Sequence, residues 1–439
     1  MRLPFAREID GEEFHPTERT ALAYLSPVGD LALFNDYAAS GSILVRRPRL
    51  SADAADLAER WRPLPRGVRS IALDERIEGY GVFTFPYGPV AMGIPEAGGF
   101  DLTTYGERIL GAAVLANHKR RDVEGRVVGR TVEDASLWIE RRSGPFAFAH
   151  ASAFLGAAES ALGRAVPRGE LWIRAIGQEL QRITDHVRLI ARVADAASQN
   201  VAAAELHMLE EELLRGTARA FGHRWGFGAL RADGPPRHLD PPGRVALAHA
   251  LAAIARRFDG LWESLLASRT FLDRLLATGP LTAAEIIRWG GVGPTLRAAR
   301  VAWDDRLRHP TPPYDELFVA LPMEENGDAL ARVLVRREEI RASFALLDHL
   351  LERWPSSASE PVPPAPPIAP GRGLARVEAP NGDLVYEVAV EGDRIRLVAS
   401  RTPSQANWPL VALSLRGGVF TDFAFDVESF GGSFAESDG

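Results

Sequence analysis

The chain has no cysteine in its 439 residues. That absence removes disulfides, all-thiolate zinc sites and any iron–sulfur cluster ligated by this polypeptide. Lysine is nearly absent too: Lys119 is the only one, so arginine carries almost all the positive charge. The formal net charge is −7 and no long basic block occurs, which sets nucleic-acid binding aside. No apolar run reaches the roughly 18 residues of a membrane span; VALAHALAAIA is short and ends in Arg256-Arg257. The opening MRLPFAREIDGEEFHPTER is acidic and lacks an apolar stretch, so no signal peptide is expected and the address is cytoplasmic. G-x-S-x-G, the Walker loop, HExxH and a strand-following GxGxxG are all missing, which removes the common hydrolase, NTPase, zincin and dinucleotide signals.

What remains is ordinary globular composition, 46% hydrophobic and 25% charged, enough for a large core divided into about two or three units. Residues 1–80 alternate short apolar runs (DLALF, SILV, SIAL) with a helical piece, SADAADLAERW, opened by Ser51; this reads as a small α+β segment. Residues 81–353 form a second unit. Its first part, VFTFPYGPVAMGIPEAGGF, is punctuated by Gly and Pro as strands and turns are. From Thr131 the period becomes helical, with Thr131 a credible N-cap and Gly163 a fitting helix end. Ile173, Ile176, Leu180, Ile183, Val187 and Ile190 then recur at steps of three and four, as in a helix packed in a bundle. Arg244–Ala277 and Gly327–Arg353 continue the helical reading. Residues 354–373 are a Pro-rich connector. In residues 374–439, LVYEVAV-EGD-RIRLVAS is a hairpin signal, and the tail ends FDVESFGGSFAESDG.

Chemistry-bearing candidates are few. In LANHKRRDVEGR, His118 and Asp122 stand four apart and would share a helix face. ELQRITDHVRLIARVAD strings Glu179, Arg182, Asp185, His186 and Arg192 along a helix, a pattern common to solvated faces and buried ion-pair networks alike. His150 sits in the Ala/Phe-rich stretch RRSGPFAFAH.

In combination these words resemble the large subunit of membrane-bound, energy-converting [NiFe] hydrogenases and its relative, the hydrogenase-like large peripheral-arm subunit of complex I (NADH–quinone oxidoreductase). Gly88-Pro89-Val90, Glu96 and Gly99-Phe100 resemble GPVHxGxxEPGHF; His118-Lys119 and Asp122 resemble HKGIE. Glu140-Arg141 and Phe148-Ala149-His150 frame the place of the first Cys-x-x-Cys pair, and Glu179-Leu180, Arg182-Ile183 and His186 follow ELERIxNHL. Gly291–Pro294, Arg297-Ala298 and Trp303–Arg306 resemble GVGPxxRAxGxxWDxR; Glu378-Ala379-Pro380 and Arg401–Ser404 with Asn407 resemble EAPRGE and RTPSxxN. The resemblance covers roughly four-fifths of the chain, in family order.

The resemblance implies an α+β fold: a central helical bundle of the [NiFe]-hydrogenase large-subunit type, preceded by a β-rich segment and followed by C-terminal strands. It implies a peripheral-arm redox subunit on the cytoplasmic face, beside a small iron–sulfur subunit and membrane subunits. NAD enters only through the NADH-linked members of the family. The four former metal-ligand positions hold Ser143, Phe146, Ser433 and Glu436. Soft nickel and iron want thiolate, so the chain is expected to carry no metal and no cofactor of its own; the iron–sulfur cluster belongs to a partner. The quinone-contact positions of complex I hold Ala91 and Gly144, so a quinone would need other donors. By family register Ser433–Glu436 lie beside Ser143–Phe146, and His118, Asp122, His150 and Glu436 are candidates for a proton network. The alternative is a catalytically silent scaffold joining an iron–sulfur subunit to membrane subunits. An open polar cavity beside Ser143 and Glu436 favours the redox reading; apolar plugging by Phe146 favours the scaffold.

Overall fold

The structure, a computed structural model, describes residues 77–91, 96–232, 240–353 and 371–439, together with five strands before residue 73. The helix expected over 51–61 and residues 354–370 of the connector lie outside the described residues. Strands β1 (Glu8–Ile9), β2 (Ala23–Leu25), β3 (Leu31–Asp36) and β4 (Gly41–Arg46) form one sheet in the order β1-β4-β3-β2. β5 (Arg69–Ala72) pairs instead with β8 (Arg108–Ala116), in a second sheet completed by β7 (Gly99–Tyr105) and β6 (Val82–Tyr87). The boundary drawn at residue 80 is therefore bridged by this sheet, because Ile71 is needed in its core. On β7 the buried residues Phe100, Leu102 and Thr104 alternate, as a half-covered strand requires.

Thr131 caps the short helix Val132–Ile139 by accepting from Asp134 N. The Ala-rich helix α1 (Ala147–Leu162) ends at Gly163 in the left-handed conformation, φ 62°. α1 lies against a third sheet, β9 (Gly371–Ala379), β10 (Gly382–Glu391) and β11 (Arg394–Arg401), in the order β11-β10-β9. The hairpin β10–β11 turns at Gly392, as expected; β9 begins inside the expected connector, at Gly371. Small residues allow the close approach. A Cβ placed on Gly373 would sit 2.1 Å from Ala157 O and 2.4 Å from Ala161 N.

The bundle centres on α2 (Arg168–Ala196), packed against α3 (Asn200–Phe221) and α4 (Ala329–Glu352). Its apolar row from Ile173 to Ile190 is buried, as the spacing predicts. Its polar row is buried as well from Glu179 to His186, while Arg192 is partly exposed. Glu179 takes Arg306 Nη1 at 3.0 Å, Tyr314 Oη at 2.7 Å and Ser343 Oγ at 2.6 Å. His186 Nε2 meets Glu339 at 2.9 Å, and Arg297 donates to Glu339 at 2.8 Å and to Glu378 at 2.9 Å. Burial alone would raise the Glu339 carboxyl, yet Arg297, His186 and Arg182 hold it far below the usual range. Among the described residues no helix is long and apolar enough to cross a membrane.

Two substitutions test this packing. Arg297→Met removes the buried arginine that Glu339 and Glu378 share and is expected to cost about 3–5 kcal/mol in equilibrium urea unfolding. Gly373→Ala forces α1 away from β9 and is expected to cost about 1–3 kcal/mol; a change within about 0.5 kcal/mol, typical of open surface, would contradict the close approach.

Candidate functional site

The loop after the Val132–Ile139 helix delivers the first pair of positions. Arg121 Nη1 donates to the Arg141 and Arg142 carbonyls at 2.7 and 3.1 Å, and Gly228 N donates to Glu140 at 2.8 Å. Ser143 then enters a single 3₁₀ turn, Gly144–Phe146, that leads into α1. Phe146 is 2% exposed, and the Ser143 hydroxyl is buried with no hydrogen-bond partner among the described residues.

The second pair arrives from the far end of the chain. α5 (Pro403–Ser414) opens on a capping box, Thr402 with Gln405; Gln405 Nε2 also reaches the Ser437 carbonyl at 2.9 Å. After α6 (Phe423–Phe430), the ring of Phe434 stacks on Trp408, centroids 4.5 Å apart. Ser433 caps the last helix, α7 (Phe434–Asp438), by accepting from Glu436 N. The Gly439 carbonyl accepts from Arg121 N at 2.7 Å and Asp122 N at 2.8 Å, and Asp438 accepts from Lys119 N at 2.9 Å.

These contacts correct the helix expected over His118–Asp122. The segment instead turns through Asn117 and Asp122, both at positive φ, since its amides are engaged by the C-terminal helix. Asp122 pairs with Arg120 at 2.7 Å, its side chain 37% exposed; His118 Nε2 is buried without a hydrogen bond among the described residues. Among the described residues no side-chain hydrogen bond or ion pair joins His118 or Asp122 to the other two members of the expected network. His150 and Glu436 do meet, His150 Nε2 lying 3.6 Å from Glu436 Oε1 with both side chains fully buried. Gly144 lies against Trp225. Ala91 is half-buried at the edge of the described residues.

Sequence reasoning missed four participants. Arg142 Nε donates to the Glu436 carbonyl at 2.9 Å, and its Nη1 to Glu124 at 2.7 Å and to the Ser400 hydroxyl. Tyr386 Oη bonds His150 Nδ1 at 2.9 Å. Ser404 gives Glu436 its backbone N at 3.1 Å and its hydroxyl. Glu96 accepts from Ser433 Oγ at 3.0 Å and from Ala435 N at 2.7 Å. Glu96 and Ser404 stand in the motif words; Tyr386 looks like any inward aromatic of a strand.

A cavity of about 760 Å³ opens beside this assembly, within the usual range for small-molecule sites. Phe146, Ser433, Trp408 and Leu189 line it with Glu96, Asp185, Arg188 and Arg192. Arg188 pairs with Asp185, and Arg192 with Glu428; Asp185 Oδ2 has no hydrogen-bond partner among the described residues. Ser143 and Glu436 do not line it. The four former ligand positions offer a ring, two hydroxyls and a carboxylate that is already hydrogen-bonded to Ser404, a donor set that does not fit a nickel–iron centre.

Burial pushes the His150 imidazole below its ordinary value, against the pull of Glu436. A depressed histidine contributes stability that is present above its unfolded value, about 6.5, and is lost as pH falls through the folded value. The chain is therefore expected to melt earlier at pH 5 than at pH 7.5, and His150→Gln to narrow that gap. An equal gap in both proteins, measured by thermal unfolding, would show that His150 is not held neutral.

Residues 206–366 match the family described as respiratory-chain NADH dehydrogenase, 49 Kd subunit. The carbon monoxide-induced hydrogenase of Rhodospirillum rubrum is 27% identical over 79% of this chain and 96% of its own length. An NADH-quinone oxidoreductase subunit of Solibacter usitatus, of the D type, is 28% identical over 72% of this chain and 86% of its own. A chain in the structure of the membrane-bound sulfane sulfur reductase, an archaeal respiratory membrane complex, shares the fold, with TM-score 0.78 and 23% identity over 82% of this chain and 99% of that one. The chain is a cysteine-less relative of the large subunits of membrane-bound hydrogenases and of the hydrogenase-like large subunit of complex I.

Proposed function

We propose that the chain is a peripheral-arm redox subunit of a membrane-bound oxidoreductase related to complex I and the energy-converting hydrogenases, without a nickel–iron centre of its own. In this reading a small iron–sulfur subunit supplies electrons, membrane subunits anchor the assembly, and the chain sits on the cytoplasmic face. The cavity beside Phe146 and Ser433 takes a small electron acceptor, a quinone being the leading candidate. The observation that carries the reading is that cavity, set against former ligand positions that hold no thiolate. Since Ala91 and Gly144 offer no headgroup side-chain donors, the acceptor would bond instead to groups such as Ser433 and Arg188 on the cavity wall.

One observation favours the scaffold reading: Ser143, Phe146 and Glu436 are almost wholly buried, closing the former metal position itself. The two readings part at the cavity. Ala424 lines it, and Ala424→Trp fills it. In the complex purified with its partners, turnover with a short-chain quinone is expected to fall about tenfold or more while subunit assembly is kept. Unchanged turnover would establish the scaffold reading, and stoichiometric nickel in this chain would overturn both.

A further inference from the structure

We propose that Glu436 and His150 form a proton-transfer couple, a buried proton store beneath the cavity wall that is charged from the surface carboxylate Glu124 through Ser400 and Tyr386. The role assigned to the store rests on the reading above; its existence does not.

The geometry is that of two groups anchored behind and open in front. Glu436 Oε2 is fixed by Ser404, through its backbone N at 3.1 Å and its hydroxyl. His150 Nδ1 is fixed by Tyr386 Oη at 2.9 Å. The two free edges, Oε1 and Nε2, face each other at 3.6 Å, and neither has a hydrogen-bond partner among the described residues. Leaving a buried acceptor and a buried ring nitrogen both unsatisfied is costly. With Tyr386 Oη donating to Nδ1, the neutral ring already turns its own Nε2–H toward the carboxylate; one further proton is what the couple stores, either as a carboxylic acid donating to Nε2 with the ring proton moved to Nδ1, or as an imidazolium donating to the carboxylate. A small approach closes the contact to hydrogen-bond length.

The proposed way out crosses from Tyr386 to Ser400, a step with no direct hydrogen bond among the described residues. Tyr386 and Ser400 are directly opposite each other on β10 and β11, so their side chains share a sheet face. The Ser400 hydroxyl donates to Glu124, whose side chain is 27% exposed. Arg142 does not relay the proton, because its guanidinium stays charged. It fixes the line, bonding Glu124 and Ser400 with Nη1 and the Glu436 carbonyl with Nε. The charged and titratable groups around His150 are thus Glu436 from α7, Arg142 from the loop before α1, Glu124 from the short helix Val123–Val127, and Tyr386 from β10. On the cavity side, Ser404 bonds both the Glu436 carboxylate and the amide of the cavity-lining Ser433, at 2.9 Å for the latter. Reduction of a quinone by two electrons from the partner's iron–sulfur cluster takes up two protons to give the quinol; the store holds one of them within a residue's reach of the cavity.

The test uses the full chain without acceptor or partners, so it does not depend on what the cavity binds. Infrared difference spectra across a pH titration should show a protonated-carboxyl band that is absent in Glu436→Gln, and whose midpoint moves in His150→Gln. After a pH jump, Glu124→Gln should fill that band more slowly by about tenfold or more, and a small weak acid such as imidazolium should restore the rate. A midpoint indifferent to His150→Gln would overturn the couple. Filling of the band at an unchanged rate in Glu124→Gln would overturn the route. If Glu436→Gln does not fold, the His150→Gln midpoint and the Glu124→Gln rate decide the matter alone.

Discussion

An arginine taken out of water must find compensating oxygens, and the core of this chain is arranged around that demand. Arg142, Arg182, Arg297, Arg332, Arg336 and Arg401 are all fully buried. Guanidinium stays protonated in proteins, so each of these side chains dictates what stands around it. Arg297 joins α4 to β9 through Glu339 and Glu378. Arg332 holds Asp426 at 2.6 Å, and Arg336 reaches Asn381 and the Phe430 carbonyl, both at 2.8 Å. Arg192 takes Glu428, and Arg142 takes the Glu436 carbonyl. Along the tail, residues 426, 428, 430 and 436 each meet an arginine from the bundle or from the loop before α1. The tail's return to the site is thus built from charge-assisted bonds spaced along its length, which fix geometry more sharply than apolar contact does.

That arrangement explains what was legible in the sequence. Period and caps are local, so the Thr131 cap, the Gly163 stop, the apolar row of α2 and the turn at Gly392 could all be placed from a few residues. The third strand of the last sheet could not, because GRGLARVEA emerges from a proline-rich stretch and carries no clear alternation of its own. The polar row of α2 was visible, but its burial was not. Glu179, Arg182 and His186 have the same spacing whether they face water or Arg306, Glu378 and Glu339, and those partners lie more than a hundred residues away.

The site divides in the same way. Register alone pointed to positions 143, 146, 433 and 436, and the fold brings Phe146 and Ser433 to one cavity and Glu436 to His150. The shared helix face expected of His118 and Asp122 does not form, because their segment gives its amides to the C-terminal turn, a demand that no local pattern announces. Tyr386 and Arg142 were missed for a related reason: each acts across a separation of more than two hundred residues.

The four former ligand positions have met different ends, and the differences carry meaning. Ser433 has become a helix cap whose hydroxyl also donates to Glu96, a structural use that any small hydroxyl residue serves. Phe146 fills space. Glu436 is the one that the packing alone does not account for. Its carboxylate is bonded to a serine rather than an arginine and placed against a histidine whose imidazole burial pushes below its ordinary value. That is an expensive thing to keep in a core that could have closed over an apolar side chain instead. Glu339, Glu378 and Asp426 each answer a buried arginine; Arg142 turns instead to the Glu436 carbonyl and leaves the carboxylate to Ser404 and His150. A carboxyl set apart from the ion-pair network, with its free edge turned to an imidazole, is the arrangement on which the proposed couple is built.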